Sequence, residues 1–544
     1  MSEKKSCEVV LQPFGLRLKA DHGVNLARFL KGSGIPVRSD CGGKGSCGKC
    51  LVNISSSAGT PSHSELACRT EVDSDLLVDM PVSSLVNPSE AVDKALDFHD
   101  FSPRLSGAAR SGYGLAIDLG TTTIAGFLCD YTTGKVAGSA VVPNPQAVYG
   151  ADVMSRIGAA ASGSEHLQLL KLLAASAVDE LALSLTKSAH MSPDAVEEVL
   201  VVGNSTMLHL FLGINPATMG ISPFTPIFKE SQERTALELG LKLNPRAKVI
   251  TLPLVSGFVG ADLVSAALAQ KMPDRPDGTM LIDIGTNGEI ILKAGGRFFA
   301  TSCATGPAFE GATIENGMLA LSGAIDSFSL NGTDGSTKYT MIQQRPESPV
   351  KARGICGSGL ISIAAALLRR GLVDPTGRMR PDVGHPNLKI GSRGMPEFIV
   401  AGAAETETGE DVVLTQKDIR SLQLAKGAIY TGIVMLCRSA GCNWPENIIL
   451  AGSFGSHIDV CDLPTLGILS PGSEDRVRVV GNAAGVGAVM AAVDPVFRKT
   501  AKEFAEEIQV VELAMQSDFQ RIFVNSLSFP GSGDSDSDSK CAAL

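Results

Sequence analysis

Four cysteines restrict this chain more than any other feature: Cys41-x5-Cys47-x2-Cys50-x17-Cys68, with Gly42, Gly43, Gly45 and Gly48 filling the loop. The N-terminal residues Met1-Ser2-Glu3-Lys4-Lys5 lack the apolar core of a secretion signal. In a reducing compartment cysteines stay as thiols, so four crowded together point to metal or cluster ligation rather than disulfides. An isolated Cys-x2-Cys would fit a zinc site or a redox pair equally well. The glycines add a constraint: with no side chain and free access to positive φ, they let backbone N–H groups approach whatever the sulfurs hold.

Over about residues 5 to 85 the sequence resembles plant-type and adrenodoxin-like 2Fe-2S ferredoxins, in the cysteine loop and in the ending Leu66-Ala67-Cys68-Arg69-Thr70. The first gap is five residues where the plant type has four, which is nearer the adrenodoxin-like spacing. The resemblance implies a β-grasp fold, a 2Fe-2S cluster near the surface held by Cys41, Cys47, Cys50 and Cys68, and one-electron transfer. The flanking sequence agrees. Residues 7 to 19 alternate around Pro13 and Gly15 as a hairpin would, and Asn25 can cap a short helix over Leu26 to Leu30 that Gly32 and Gly34 stop. Cys7 reads as packing, His22 and His63 as surface residues, and Cys129, Cys303, Cys437 and Cys461 as buried small hydrophobes.

At 544 residues the chain exceeds one ordinary domain, and a net charge of −10 argues against a nucleic-acid surface, which needs clustered Lys and Arg. No run approaches the ~20 apolar residues of a spanning helix. The expected location is therefore the cytoplasm, without a membrane.

After the ferredoxin-like domain (1–85), residues 86–112 read as a linker, polar and broken by Pro88 and Pro103. Beyond it the sequence repeats. Leu115-Ala116-Ile117-Asp118-Leu119-Gly120-Thr121 returns as Met280-Leu281-Ile282-Asp283-Ile284-Gly285-Thr286, an apolar strand ending in Asp-x-Gly-Thr. Each copy continues into a hairpin, turning at Thr133-Gly134 and at Gly295-Gly296. Helices are expected over 165–188 and 419–438, each leading to a matching strand, Glu197 to Gly203 and Glu446 to Gly452. Two mixed α/β halves follow, 113–265 and 266–505. The remainder, 506–544, is an extension ending in a solvated acidic tail.

No Walker A or Gly-x-Gly-x-x-Gly stands between a strand and a helix. A glycine turn after a strand, by contrast, offers N–H groups and a Thr hydroxyl to phosphate oxygens, while the Asp can orient a metal ion or an attacking water. Two copies in matching places resemble the ASKHA superfamily (acetate and sugar kinases, Hsp70, actin) across roughly 113 to 495. That resemblance implies a duplicated ribonuclease-H-like domain holding ATP and Mg2+. Asp118, Gly120, Thr121 and Thr122 form the first phosphate segment, Asp283, Gly285, Thr286 and Asn287 the second, and Gly452, Ser453 and Phe454 the adenosine segment; Asp118 and Asp283 are the candidate catalytic residues. Gly203-Asn204-Ser205-Thr206 and Gly481-Asn482-Ala483-Ala484-Gly485 fall where that superfamily has hinges. Asp262 and Glu310, in Ser256 to Asp262 and Cys303 to Gly311, could polarise water or contact a partner, with a structural turn at least as well supported.

A ferredoxin joined to an ASKHA domain resembles the reductive activators of corrinoid proteins, which Gly306-Pro307-Ala308-Phe309-Glu310-Gly311 and Gly354-Ile355-Cys356-Gly357-Ser358-Gly359 also match. The implied activity is ATP-dependent one-electron reduction of inactive Co(II) to Co(I) in a methyl-transferring corrinoid protein, fed by an upstream low-potential donor. The linker is too short for the middle domain that some of these activators carry, which leaves a homodimer open. Two other readings stay beside it: an ASKHA-type metabolite kinase, and a nucleotide-dependent binding module that senses redox state. Cys541-Ala542-Ala543-Leu544 matches a prenylation box by chance, since the residues before it are acidic.

Overall fold

The computed structural model describes residues 6–531 apart from 13, 34, 36, 38–44, 46–47, 49, 57–61, 82–83, 85–88, 91–110, 312, 331–335, 344–349 and 453–457. The expected acidic tail, the prenylation-like ending and most of the expected linker lie outside the described residues. The described residues fall into two compact units divided between Leu252 and Pro253, with Ala491–Pro495 belonging to the first.

The first unit opens with the expected hairpin. Ser6–Gln12 and Leu16–Asp21 pair antiparallel, with Val9 and Leu11 fully buried on the inward face. The five-stranded sheet runs Leu16–Asp21, Ser6–Gln12, Leu76–Asp79, Leu51–Ser55, His63–Leu66, and its first and last-formed central strands are parallel. The helix Leu26–Gly32 crosses this sheet; Asn25 caps it, its side chain accepting from Arg28 N–H, and Leu26 and Leu30 are buried beneath. A mixed sheet grasping one helix is the β-grasp arrangement. Cys7 is buried, and His22 and His63 are exposed, as expected.

Within the same unit a seven-stranded sheet follows, in the order Glu233–Thr235, Lys248–Thr251, Val196–Gly203, Tyr113–Leu119, Thr123–Asp130, Lys135–Pro143, Ser89–Glu90. The last strand is a departure from the expected linker: Ser89 pairs with Val141 and Glu90 with Ala140. An edge strand pairs through its backbone alone, so no apolar alternation announced it. The helix Ser164–Ser188 covers this sheet. Between the two sheets, Val148 and Leu173 join the ferredoxin core, and the Phe14 ring meets Tyr149 edge-on at 6.0 Å.

The second unit repeats the plan. Its six-stranded sheet runs Val477–Val479, Asn447–Ala451, Thr279–Ile284, Gly288–Ala294, Arg297–Cys303, Ile508–Val510. In both units the strand carrying Asp-x-Gly-Thr sits centrally, antiparallel to the hairpin that follows it and parallel to the strand that follows the long helix. The repeat seen in sequence is thus a repeat of topology. The helix Gln416–Ala440 packs on this second sheet. Gly354–Ile355 is a short strand feeding the helix Gly357–Arg369.

Candidate cluster and nucleotide sites

Cys50 precedes the strand Leu51–Ser55 and is 2% exposed; Cys68 lies in the 3-10 turn Ala67–Arg69. Their sulfurs are 3.4 Å apart, and neither is in a disulfide. Ala67 N–H donates to Cys50 O at 2.9 Å and locks the two segments together. Asn25 adds a second lock, donating from Nδ2 to Cys68 O at 3.0 Å and to Thr70 O at 3.3 Å while its oxygen caps the helix. The Thr70 hydroxyl donates to Glu65. Gly45 and Gly48 have φ of 71° and 69°, the left-handed region that favours glycine, and a Cβ on Gly45 would fall 2.0 Å from Arg69 Nε, so a larger residue there would have to displace the arginine. Cys41 and Cys47 lie outside the described residues. Two thiols from remote segments, held in contact and unoxidised beside left-handed glycines, fit a cluster's demand for converging thiolates. The anchoring by Asn25 is not legible from the cysteine spacing. Cys461, expected to be buried, is exposed, whereas Cys129, Cys303 and Cys437 are buried.

The first phosphate segment continues the strand Tyr113–Leu119. Asp118 pairs with Ala125 on one side and Val202 on the other, so it sits where the strand ends. Three buried side chains hold the turn. Asn144 Nδ2 donates to Gly120 O at 2.8 Å, Arg156 Nη2 donates to Thr121 O at 2.7 Å, and Asn204 Nδ2 donates to Thr121 Oγ1 at 2.9 Å. Arg156 is fully buried in the helix Val153–Ser162 and also donates to Gly150 O at 3.1 Å. Asn204 caps the helix Ser205–Leu212 through Met207 N–H at 2.9 Å. Because Thr121 Oγ1 accepts from Asn204, its own proton is left to donate elsewhere. Of these supports only Asn204 stood in a segment singled out from sequence; an arginine on the inner face of an Ala/Ile/Val helix was the missed signal for Arg156.

The second phosphate segment turns directly into a hairpin, with Gly285 N–H donating to Asn287 O at 3.1 Å. The Thr305 hydroxyl reaches both Gly285 O and Thr286 O at 2.8 Å, and the Thr286 hydroxyl donates to Glu310. Thr305 and Glu310 thus have a positioning part in the turn. Glu289, on the following strand, is 7% exposed. Burial, then the neighbouring Asp262 and Asp283 carboxylates, push its carboxyl well above the ordinary range, against one hydrogen bond from Ser302. Glu289 thus sits in a three-carboxyl neighbourhood that disfavours its charged form. Gly452 has φ of 127°, and a Cβ there would fall 2.5 Å from Ile284 O, so the adenosine segment starts in contact with the second phosphate strand. Ser453 and Phe454 lie outside the described residues.

The chain is 32% identical to a corrinoid activation enzyme, RamQ, of Eubacterium limosum over 530 residues, covering 84% of this chain and 88% of that one. The chain belongs to the family of corrinoid activators. A second relative, the [Co(II) methylated amine-specific corrinoid protein] reductase of Methanosarcina barkeri, is 26% identical over 68% of each chain. A solved reductive activator for corrinoid, iron-sulfur protein superimposes with a TM-score of 0.73 at 28% identity, covering 97% of this chain and 99% of that one. Residues 9–73 match the 2Fe-2S iron-sulfur cluster binding domain, 113–275 the RACo middle region, and 277–539 the C-terminal ASKHA domain of RACo. The middle region expected to be missing is therefore matched at 113–275, which contains the first half, 113–265, assigned from the repeat. Among the described residues no helix is long and apolar enough to cross a membrane.

Proposed function

We propose that this activator restores corrinoid proteins by delivering one electron to inactive Co(II), giving Co(I), through a 2Fe-2S cluster on Cys41, Cys47, Cys50 and Cys68, with ATP and Mg2+ driving the transfer. The observation that supports it most directly is one chain that brings Cys50 and Cys68 sulfurs to 3.4 Å and carries two Asp-x-Gly-Thr turns on sheets of matching order. The cluster, when bound, supplies a one-electron carrier, recharged by an upstream low-potential donor. ATP is needed because Co(II) corrinoid accepts electrons reluctantly. Shifting an equilibrium from 1:99 to 99:1 takes about 5.5 kcal/mol of differential binding.

The protein's own residues divide the work. In the first unit the Gly120 N–H and the hydroxyls of Thr121 and Thr122 would hold phosphate oxygens; in the second, Asn287 and Gly452 to Phe454 would contact the nucleotide, while Gly285 and Thr286, whose N–H and hydroxyl are taken by Asn287 O and Glu310, shape the turn. Asp118 in the first unit and Asp283 in the second would each be suited to orient a cation or an attacking water. Arg156, Asn144 and Asn204 keep the first turn rigid, so binding energy is not spent on ordering it. A packed route links that turn to the cluster domain: Asn144 caps the 3-10 turn Pro145–Tyr149, whose Tyr149 and Val148 bear on Phe14 and the ferredoxin core. Movement of Gly120 on nucleotide binding is passed along this turn. We place the reaction in the cytoplasm, where reducing conditions keep the cluster thiols open.

The test is anaerobic mixing of reduced protein with a Co(II) corrinoid protein. Co(I) absorption that grows only with ATP supports the proposal. Equal growth without nucleotide, or a phosphorylated metabolite as the product, contradicts it.

A further inference from the structure

A second pair of cysteines meets far from the cluster loop, at the end of the helix Gln416–Ala440. Gly441 there is left-handed, with φ of 66° and ψ of 32°. Its N–H donates to Arg438 O at 3.1 Å, and the next N–H, that of Cys442, reaches back to Cys437 O at 3.0 Å. These two bonds form a Schellman cap, and such a cap presses together the side chains of the third residue from the helix end and the second residue beyond it. In most helices two apolar side chains fill those places. Here they are Cys437 and Cys442.

The pair is chemically uneven. Cys437 is 7% exposed, while Cys442 is half-buried and open to solvent on one side. The adjacent Cys437 side chain, above all, lowers the Cys442 pKa below the ordinary thiol range, outweighing the effect of burial. The carbonyl-rich helix end opposes an anion, so the neighbouring Cys437 carries this effect. The exposed Cys461 provides the contrast, pushed up by the Asp459 carboxylate above all. One accessible sulfur with thiolate character and one buried partner in contact are the two parts a thiol–disulfide exchange site needs.

We propose that Cys437 and Cys442 form a redox-active dithiol, separate from the cluster, that closes to a reversible disulfide by exchange with a low-molecular-weight disulfide. Cys442 thiolate attacks one sulfur of that molecule, its S–S bond breaks, and a first small thiol leaves with a proton. The Cys437 thiol then gives up its proton and attacks Cys442 Sγ, expelling the second small thiol. The two cysteines are oxidised by two electrons and the small disulfide is reduced by two. The product is a covalent staple on the connection that runs through Trp444 to the strand Asn447–Ala451 and to Gly452.

The test uses the full-length, cluster-loaded protein carrying Cys461→Ser, treated anaerobically with oxidised glutathione. The expected product is a disulfide joining tryptic peptides 427–438 and 439–476, reversed by dithiothreitol with the visible cluster absorption unchanged. Adding Cys437→Ser should trap a single mixed disulfide at Cys442, and adding Cys442→Ser should abolish both products. Trp444, the one tryptophan of the chain, should lose emission with the same rate constant as the linkage forms. In the unsubstituted protein at pH 7, Cys442 should alkylate on the order of tenfold faster than Cys461. Absence of the linked peptides, or Cys442 alkylating no faster than Cys461, would overturn the proposal.

Discussion

Asn204 separates the folding of the first nucleotide turn from its chemistry. Its oxygen caps the helix Ser205–Leu212 at 2.9 Å from Met207 N, and its nitrogen donates to Thr121 Oγ1 at 2.9 Å. Three substitutions divide these contacts. Asn204→Ser keeps a capping oxygen of equal rank but is too short to reach Thr121, so unfolding should shift by less than about 0.5 kcal/mol. Loss of one neutral hydrogen bond of about 1 kcal/mol should weaken ATP binding roughly fivefold. Asn204→Asp keeps the cap and turns the donor into a carboxylate acceptor. The Thr121 proton must then face inward, away from phosphate. A hydrogen bond to a charged group is worth about 1.5–3 kcal/mol, so ATP affinity should fall roughly 10- to 150-fold with stability nearly unchanged. Asn204→Ala loses both contacts and should cost about 1–2 kcal/mol of stability in addition. Calorimetric titration with ATP beside thermal unfolding reads both quantities. An Asn204→Asp protein that binds ATP as the parent does would refute the reasoning, as would affinity losses that merely track stability across the series.

Other perturbations have equally definite outcomes. Cys68→Ser should remove the visible cluster absorption while ATP binding is kept, whereas Cys461→Ser should leave the spectrum intact; equal spectra would exclude Cys68 as a ligand. Glu289 titrates higher in the fold than in the open chain, so its stabilising contribution is full below the ordinary carboxylate range and is lost as pH rises toward the folded value. Urea midpoints of Glu289→Gln should therefore gain on the parent between pH 4 and pH 8, and parallel curves would count against a protonated Glu289. Lys426 is 2% exposed and burial lowers its pKa to about 7. Lys426→Met removes the bond from Nζ to Ser528 O, but its stability relative to the parent should be greatest below pH 7 and shrink toward pH 10, as the open chain alone still binds the proton. Tyr149→Ala should reduce the ATP stimulation of electron transfer several-fold with cluster absorption and ATP binding unchanged; full stimulation would exclude the 145–149 turn as the route.

Much of the architecture was legible because it is written in periodicity. The alternation around Gly15, the Asn25 cap and the paired strands ending in Asp-x-Gly-Thr each depend on neighbours in sequence, and each formed where expected. What sequence could not show depends on contacts between distant residues. Arg156 acts on Thr121, Thr305 on Gly285 and Asn25 on Cys68, and no local pattern ties those positions together. The Ser89–Glu90 strand was hidden for a related reason, since edge pairing makes no demand on side chains. Cys461 was misjudged because an average tendency of cysteine to be buried says nothing about one loop.

The central claim is that electrons reach cobalt from the cluster, one at a time, under nucleotide control. Single-turnover mixing of fully reduced protein, with no excess reductant, against a Co(II) corrinoid protein in the presence of ATP tests it most directly. One Co(I) formed per cluster oxidised, at matching rates and absent in Cys50→Ser, is the predicted result. Co(I) appearing while the cluster spectrum stays reduced, or in the Cys50→Ser protein, would contradict it.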